Sequence, residues 1–210
     1  RMEQLNYVLA NDVPELKKLI HEDQILFPEY TGKKPEGAIA ECIASDGSIW
    51  SGAILPKGLK WQPCRYGANK SGIRWAATYD AEALYIIVSD SSNLNRSTLE
   101  PAISQMTVKV EPRRLWPCIR FNFNFNPGNK DQQNDAVHVV GQSGKPYFVA
   151  RIPVKDYRWS DEAQHPIRID VGVSDKDGRT TTWQKSNPLT RRLVLGTDNH
   201  ADLGWLIFSN

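Results

Sequence analysis

The stretch Ile119-Arg120-Phe121-Asn122-Phe123-Asn124-Phe125-Asn126 places an apolar side chain at every second position. Only a strand with one buried and one wetted face accommodates that period, because successive strand side chains point to opposite sides of a sheet. Sheets wetted on one face are antiparallel as a rule, so this segment predicts an antiparallel sheet protein. The wetted phase carries neutral amides rather than charges. Asn122, Asn124 and Asn126 could present hydrogen-bonding groups in register to a polar ligand, or simply meet water.

The same alternation recurs beyond residue 40. Ile73, Trp75, Ala77 and Tyr79 alternate with Arg74, Ala76 and Thr78, and Leu84, Ile86 and Val88 follow the Asp80-Ala81-Glu82 turn, which predicts a hairpin. Met106, Val108 and Val110 form a further strand, as do Val137 with Val139, Phe148 with Ala150 and Ile152, and Ile167 with Ile169, Val171 and Val173. Leu193–Leu195 and Trp205–Phe208 close the series. About nine or ten strands joined by Gly-, Pro- and Asn-rich turns are most economically arranged as two packed sheets, so the expected fold is all-β, a two-sheet antiparallel β-sandwich. A chain of 210 residues fits one such domain with a short appendage. The appendage is residues 1–40 and the sandwich is residues 41–210. In the appendage, Asn11 or Asp12 caps a helix with Pro14 in its first turn and Leu16, Leu19 and Ile20 on one face. That N-terminal helical segment is expected to end near Gln24, and Phe27 to Pro35 reads as an extended linker. It would form either a junction with a preceding domain or a helix laid over one end of the sandwich.

Charge excludes some functions. With 26 basic and 24 acidic residues the net charge is +2, and the basic residues are dispersed, which argues against a nucleic-acid partner. No apolar run approaches the roughly 18 residues of a membrane helix, so no membrane partner is expected. The opening at Arg1-Met2 without a leader suggests a fragment of a larger protein. Cys42, Cys64 and Cys118 lack the spacing of a zinc site. Cys42 and Cys64 form the nearer pair if a disulfide exists, and buried thiols acting as small hydrophobes are the alternative.

Catalysis finds no footing. His21, His138, His165 and His200 are scattered, and no Ser or Cys lies in a nucleophile motif. Met106 and His138 are the one pair that could be nominated as axial haem ligands, but Met106 sits on the apolar phase of its strand, where core packing explains it better. The aromatic supply is more informative, with seven Trp and seven Tyr. Flat rings with a polar tip stack on apolar faces while keeping a hydrogen bond available. Trp50, Trp75 and Trp205 fall where core anchors are needed. Trp61, Trp116, Trp159 and Trp183 have polar or basic neighbours, Arg114 among them, and belong to loops or strand ends where binding residues collect.

Asp46-Gly47 followed by Trp50, Tyr79-Asp80 with Leu84-Tyr85 and Asp90, Ile152-Pro153, Asp175-Lys176-Asp177-Gly178 leading to Trp183, and Gly204 before an apolar strand together resemble the family 9 carbohydrate-binding modules. The resemblance covers about residues 41–210. It implies a non-catalytic β-sandwich appended to a secreted polysaccharide-degrading enzyme, and hence a secreted, periplasmic or cell-surface location. The implied partners are an oligo- or polysaccharide and a preceding catalytic domain of the same chain. Trp183, after the Asp-x-Asp-Gly turn, is carried over as a sugar-stacking ring. The family's second ring has no counterpart here, because the matching stretch from Pro101 to Lys109 lacks both the Trp and the carboxylates; Trp116 or Trp159 would have to supply it. The ligand-binding candidates are therefore Trp183, Trp116, Trp159, Trp61 and Arg114. No cofactor is required, although the resemblance also brings in structural calcium. Asp175 and Asp177 are the candidate ligands, against an ordinary Asp-Gly turn that needs no metal. The rival reading is a structural accessory domain that packs on a neighbouring catalytic domain through Trp116, Trp159 and Arg114 without binding sugar.

Overall fold

A computed structural model describes residues 37–52, 54–67, 72–90, 103–112, 118–125, 135–140, 146–157, 166–185 and 203–209. The N-terminal helix, the linker and the strand expected at Leu193–Leu195 lie outside the described residues. In chain order the elements are β1 (Ile39–Ala44), α1 (Ser48–Gly52), β2 (Gln62–Pro63), β3 (Tyr66–Gly67), β4 (Ile73–Tyr79), β5 (Ala83–Asp90), β6 (Gln105–Glu111), β7 (Ile119–Asn124), β8 (Ala136–Val140), β9 (Pro146–Pro153), α2 (Val154–Tyr157), β10 (Ile167–Ser174), β11 (Thr180–Thr182) and β12 (Gly204–Ser209). None of the described helices is long and apolar enough to cross a membrane.

The strands form a β-sandwich. One layer runs β7-β6-β10-β11-β3 and the other β8-β9-β5-β4-β1-β12, with β2 on the edge of β4. The layers are stitched at one corner, where Ile167–Ile169 of β10 pair with Leu206–Gly204 of β12. The predicted hairpin is present, with Tyr79 opposite Leu84. Its turn is held by Asp80, whose Oδ1 accepts hydrogen bonds from the Glu82 and Ala83 amides at 2.8 Å each.

Pairing is antiparallel except at β1, which runs parallel to both β12 and β4. A parallel neighbour cannot be reached through a tight turn and needs a long crossover. Here the chain between β1 and β4 supplies it, and part of that chain covers the outer face of β5 and β9. Ile49 of α1 is fully buried there with Ala83, Tyr85, Ile87, Tyr147 and Val149, and Trp50, Leu55, Leu59 and Trp61 pack around them. Both phases of β5 are therefore buried, which explains why Ala83-Leu84-Tyr85-Ile86-Ile87-Val88 is apolar without interruption.

The main core lies between the layers. Trp75, Ala77, Leu84, Ile86, Val88, Phe148, Ala150 and Ile152 face Met106, Val108, Val110, Phe123, Ile169, Val171 and Val173. The expected phases of β4, β6, β9 and β10 thus point inward, and Met106 is a core side chain. Cys42 and Cys64 are buried in the same core as free thiols. Cys42 lies opposite Ala77 of β4, while the Cys64 amide bonds the Ile73 carbonyl four residues along that strand. At about 3.3 Å per residue the two are roughly 13 Å apart, well beyond disulfide reach. Burial raises the Cys42 thiol pKa well above its ordinary value and, with help from the Asp170 charge, pushes Cys64 up to about 12.

Candidate functional site: the outer face of the β7-β6-β10-β11-β3 layer

The feature that first marked the sequence, the amide phase of β7, lies on the outer face of the smaller layer. Directly opposed residues of neighbouring strands project from the same side of a sheet. Register therefore builds a continuous row across five strands: Asn122, Thr107, Gly172, Thr182 and Tyr66. A second row beside it contains Asn124, Gln105, Ser174 and Thr180. Every side chain in these two rows is uncharged, and each except Gly172 carries a group that can hydrogen-bond.

The side chains are oriented by one another. Thr107 Oγ1 donates to Asn122 Oδ1 at 2.9 Å, Gln105 Nε2 donates to Asn124 Oδ1 at 3.2 Å, and the Ser174 and Thr180 hydroxyls are 2.9 Å apart. Asn122, Thr180 and Tyr66 are exposed and the other side chains are half-buried, so the face is open while its groups are held in place. Tyr66, 42 % exposed, is with Ile54 one of two large hydrophobic residues exposed among the described ones. Gly172 makes a dip in the first row: a Cβ there would sit 3.2 Å from Thr182 Cγ2. On one side the rows are bounded by Arg120, Lys109 and Asp170, which lie in register. On the other they meet the Asp175–Arg179 turn, which Ser104 Oγ holds by donating to the Asp175 carbonyl at 2.8 Å.

The predicted ring of Trp183 is elsewhere. It is only 6 % exposed and belongs to the main core, edge-on to Trp75 with centroids 5.0 Å apart. A Cβ on Gly204 would lie 2.4 Å from two of its ring carbons, so the indole rests directly on the β12 backbone. Its amide bonds the Val171 carbonyl, and the next amide, Gln184, bonds Asp170 Oδ1 at 2.9 Å. Trp183 is thus corrected from a surface ring to a core residue. Polar neighbours on either side had suggested exposure, but in a strand end they sit on the opposite phase. Trp61 is half-buried and stacks on Tyr147 at 6.1 Å, on the outer face of the other layer and away from the amide rows. Trp50, expected in the core, is half-buried against Tyr85. Trp205 is buried beneath Arg168, whose guanidinium lies 4.5 Å from its ring centre. Trp116, Trp159 and Arg114 lie outside the described residues.

Asp175 and Asp177 are engaged within their own turn. Asp175 Oδ1 accepts from the Asp177 and Arg179 amides at 2.9 Å each, and Asp177 pairs with Arg179 at 3.3 Å. With Gly178 at φ +75°, this is a complete Asp-Gly turn. Among the described residues no cluster of three His, Cys, Asp or Glu could hold a metal.

Sequence reasoning flagged Asn122 and Asn124, along with Asn126, which lies outside the described residues, but missed Gln105, Thr107, Gly172, Ser174, Thr180, Thr182 and Tyr66. The polar phase of β6 was visible as alternation. Tyr66, on a two-residue strand, had no periodicity to reveal it.

The molecule is thus a β-sandwich with two uncharged polar rows, one edged by an aromatic ring, on a sheet face flanked by a charged row. Its fold is that of the family 9 carbohydrate-binding modules. It resembles the structure of a family 9 carbohydrate binding module from Caldicellulosiruptor kristjanssonii in complex with glucose, with 12 % sequence identity, a TM-score of 0.52, and coverage of 82 % of this chain and 96 % of that one. A structure of such a module from the same organism in complex with cellotriose gives 13 % identity, a TM-score of 0.52 and coverage of 82 % and 94 %. No family model matches the chain, and no curated protein does.

Proposed function

We propose that this chain is a non-catalytic carbohydrate-binding module. The observation that carries the reading is the sandwich fold it shares with modules solved holding glucose and cellotriose, here with an outer face furnished with amides, hydroxyls and one exposed aromatic. Such a module works by effective concentration: tethered to a polysaccharide-degrading catalytic domain, it keeps that domain near a polymeric substrate outside the cell. Isothermal titration of the 210-residue chain with glucose, cellotriose and a wider sugar panel tests it. Saturable binding is the expected result, and no heat of binding to any sugar at millimolar concentration overturns it.

One observation favours the second reading, a structural accessory domain. Trp183, the ring carried over from family resemblance, is consumed by the core. If the titration is silent, that burial makes loss of the sugar site and retention of the scaffold for domain packing the better account.

A further inference from the structure

We infer that the outer face of the β7-β6-β10-β11-β3 layer takes an extended, uncharged oligosaccharide laid across the strands, from Asn122 over the Gly172 dip to a stacking contact on Tyr66. This rests on the carbohydrate-binding reading and adds a place, a ligand class and a binding mode. The five-strand row spans four inter-strand spacings of about 4.8 Å, roughly 19 Å in all, which suits a short chain of sugar rings better than a single one. Amides and hydroxyls both donate and accept, as sugar hydroxyls do, so the two rows match a ligand that is polar and neutral. The bonds from Thr107 to Asn122 and from Gln105 to Asn124 limit side-chain freedom before binding, which lowers the ordering cost when a ligand arrives. Gly172 lowers the floor where a ring would cross β10; any side chain there would crowd Thr182 and fill the dip. Tyr66 supplies the apolar stacking partner at the end of the row, with its hydroxyl left for a hydrogen bond.

The test uses the whole chain and calorimetric titration with glucose, cellotriose, a longer cello-oligosaccharide and an anionic oligogalacturonide. Tyr66→Ala and Asn122→Ala change exposed side chains, and Ile54→Ala, exposed on the crossover, is the control. Affinity is expected to rise about tenfold or more from glucose to cellotriose, to fall about tenfold in Tyr66→Ala and about threefold in Asn122→Ala, and to stay unchanged in Ile54→Ala. Thermal melts that match the wild type show that these losses are not unfolding. Sugar binding that is undiminished in both face variants overturns the location while the carbohydrate-binding reading stands. A preference for the oligogalacturonide overturns the neutral class. Equal affinity for glucose and the longer chains overturns the extended mode. Silence with every sugar overturns this inference together with the reading beneath it.

Discussion

At the scale of single residues, two glycines show how a short motif is selected by what touches it. Gly204 carries no strained torsion; it is glycine because the Trp183 indole occupies the space where a Cβ would go. A methyl there forces the ring off its seat, so Gly204→Ala is expected to cost about 1–3 kcal/mol, the usual range for overpacking. For a chain of this size that is a fall in Tm of about 2–4 °C per kcal/mol, readable in a thermal melt, and an unchanged Tm would contradict the close packing. Trp183→Ala should cost about 3–5 kcal/mol as a large core truncation, so lost sugar binding in that variant would report on folding rather than contact. Gly47 has a different reason. It takes φ +72° and lies against Asp80 and Tyr85, with a Cβ position 2.6 Å from Asp80 Oδ2. Gly47→Ala therefore meets both a torsional penalty and a clash, expected to total about 1–3 kcal/mol in chemical denaturation.

The crossover after β1 and the β4–β5 hairpin, taken as elements, form one polar and apolar unit. Asp46 Oδ1 accepts from the Ser48 amide at 3.0 Å at the start of α1, and α1 in turn places Ile49 and Trp50 on the outer face of β5. Beneath it, Tyr85 Oη donates to Asp80 Oδ2 at 2.8 Å, and Arg151 pairs with Asp135 at 3.4 Å and Glu82 at 3.6 Å. Burial first, then the bond to Asp80 and its charge, push the Tyr85 phenol up to about 12 from an ordinary 10.0. Cys64 rises from 9.0 to about 12, again chiefly through burial. Both groups hold their protons more tightly in the folded state. Their contribution to stability is complete below pH 9 and is lost as pH climbs from 9 toward 12, because the unfolded chain ionises first. Denaturant midpoints measured from pH 8 to 11 should accordingly fall above pH 9, and Tyr85→Phe should flatten the part of the decline above pH 10. A flat profile would show that neither group is buried as described. Thiol labelling offers an independent check: Cys118, half-buried, should react in the native protein, whereas Cys42 and Cys64 should wait for unfolding.

At the scale of the whole molecule, two layers enclose a core and the smaller layer presents an outer face of amides and hydroxyls, whose proposed recognition role the sugar titrations above test. Much of this architecture was legible in the sequence. Alternation at period two identifies strands because burial on one face and water on the other leave a local chemical record, and β4, β6, β7 and β10 each left one, whereas β5, β9 and β12 showed as apolar runs between turns. Turn chemistry was equally local, so Asp80 and Asp175 could be read as turn residues from their neighbours alone. The parallel pairing of β1 was not legible, because pairing partners far apart in sequence leave no trace in either strand. Nor was the fate of each tryptophan. Trp183 and Trp61 share polar neighbours, yet one is pressed onto Gly204 in the core and the other lies over Tyr147. The amide phase of β7 was visible from the start, but its alignment with Thr107, Gly172, Thr182 and Tyr66 is a matter of register across five strands. The sequence by itself determined which segments become strands and which side of each avoids water. Only the tertiary structure decided which polar groups stand side by side, since strand register is set by packing between distant segments rather than by any one of them.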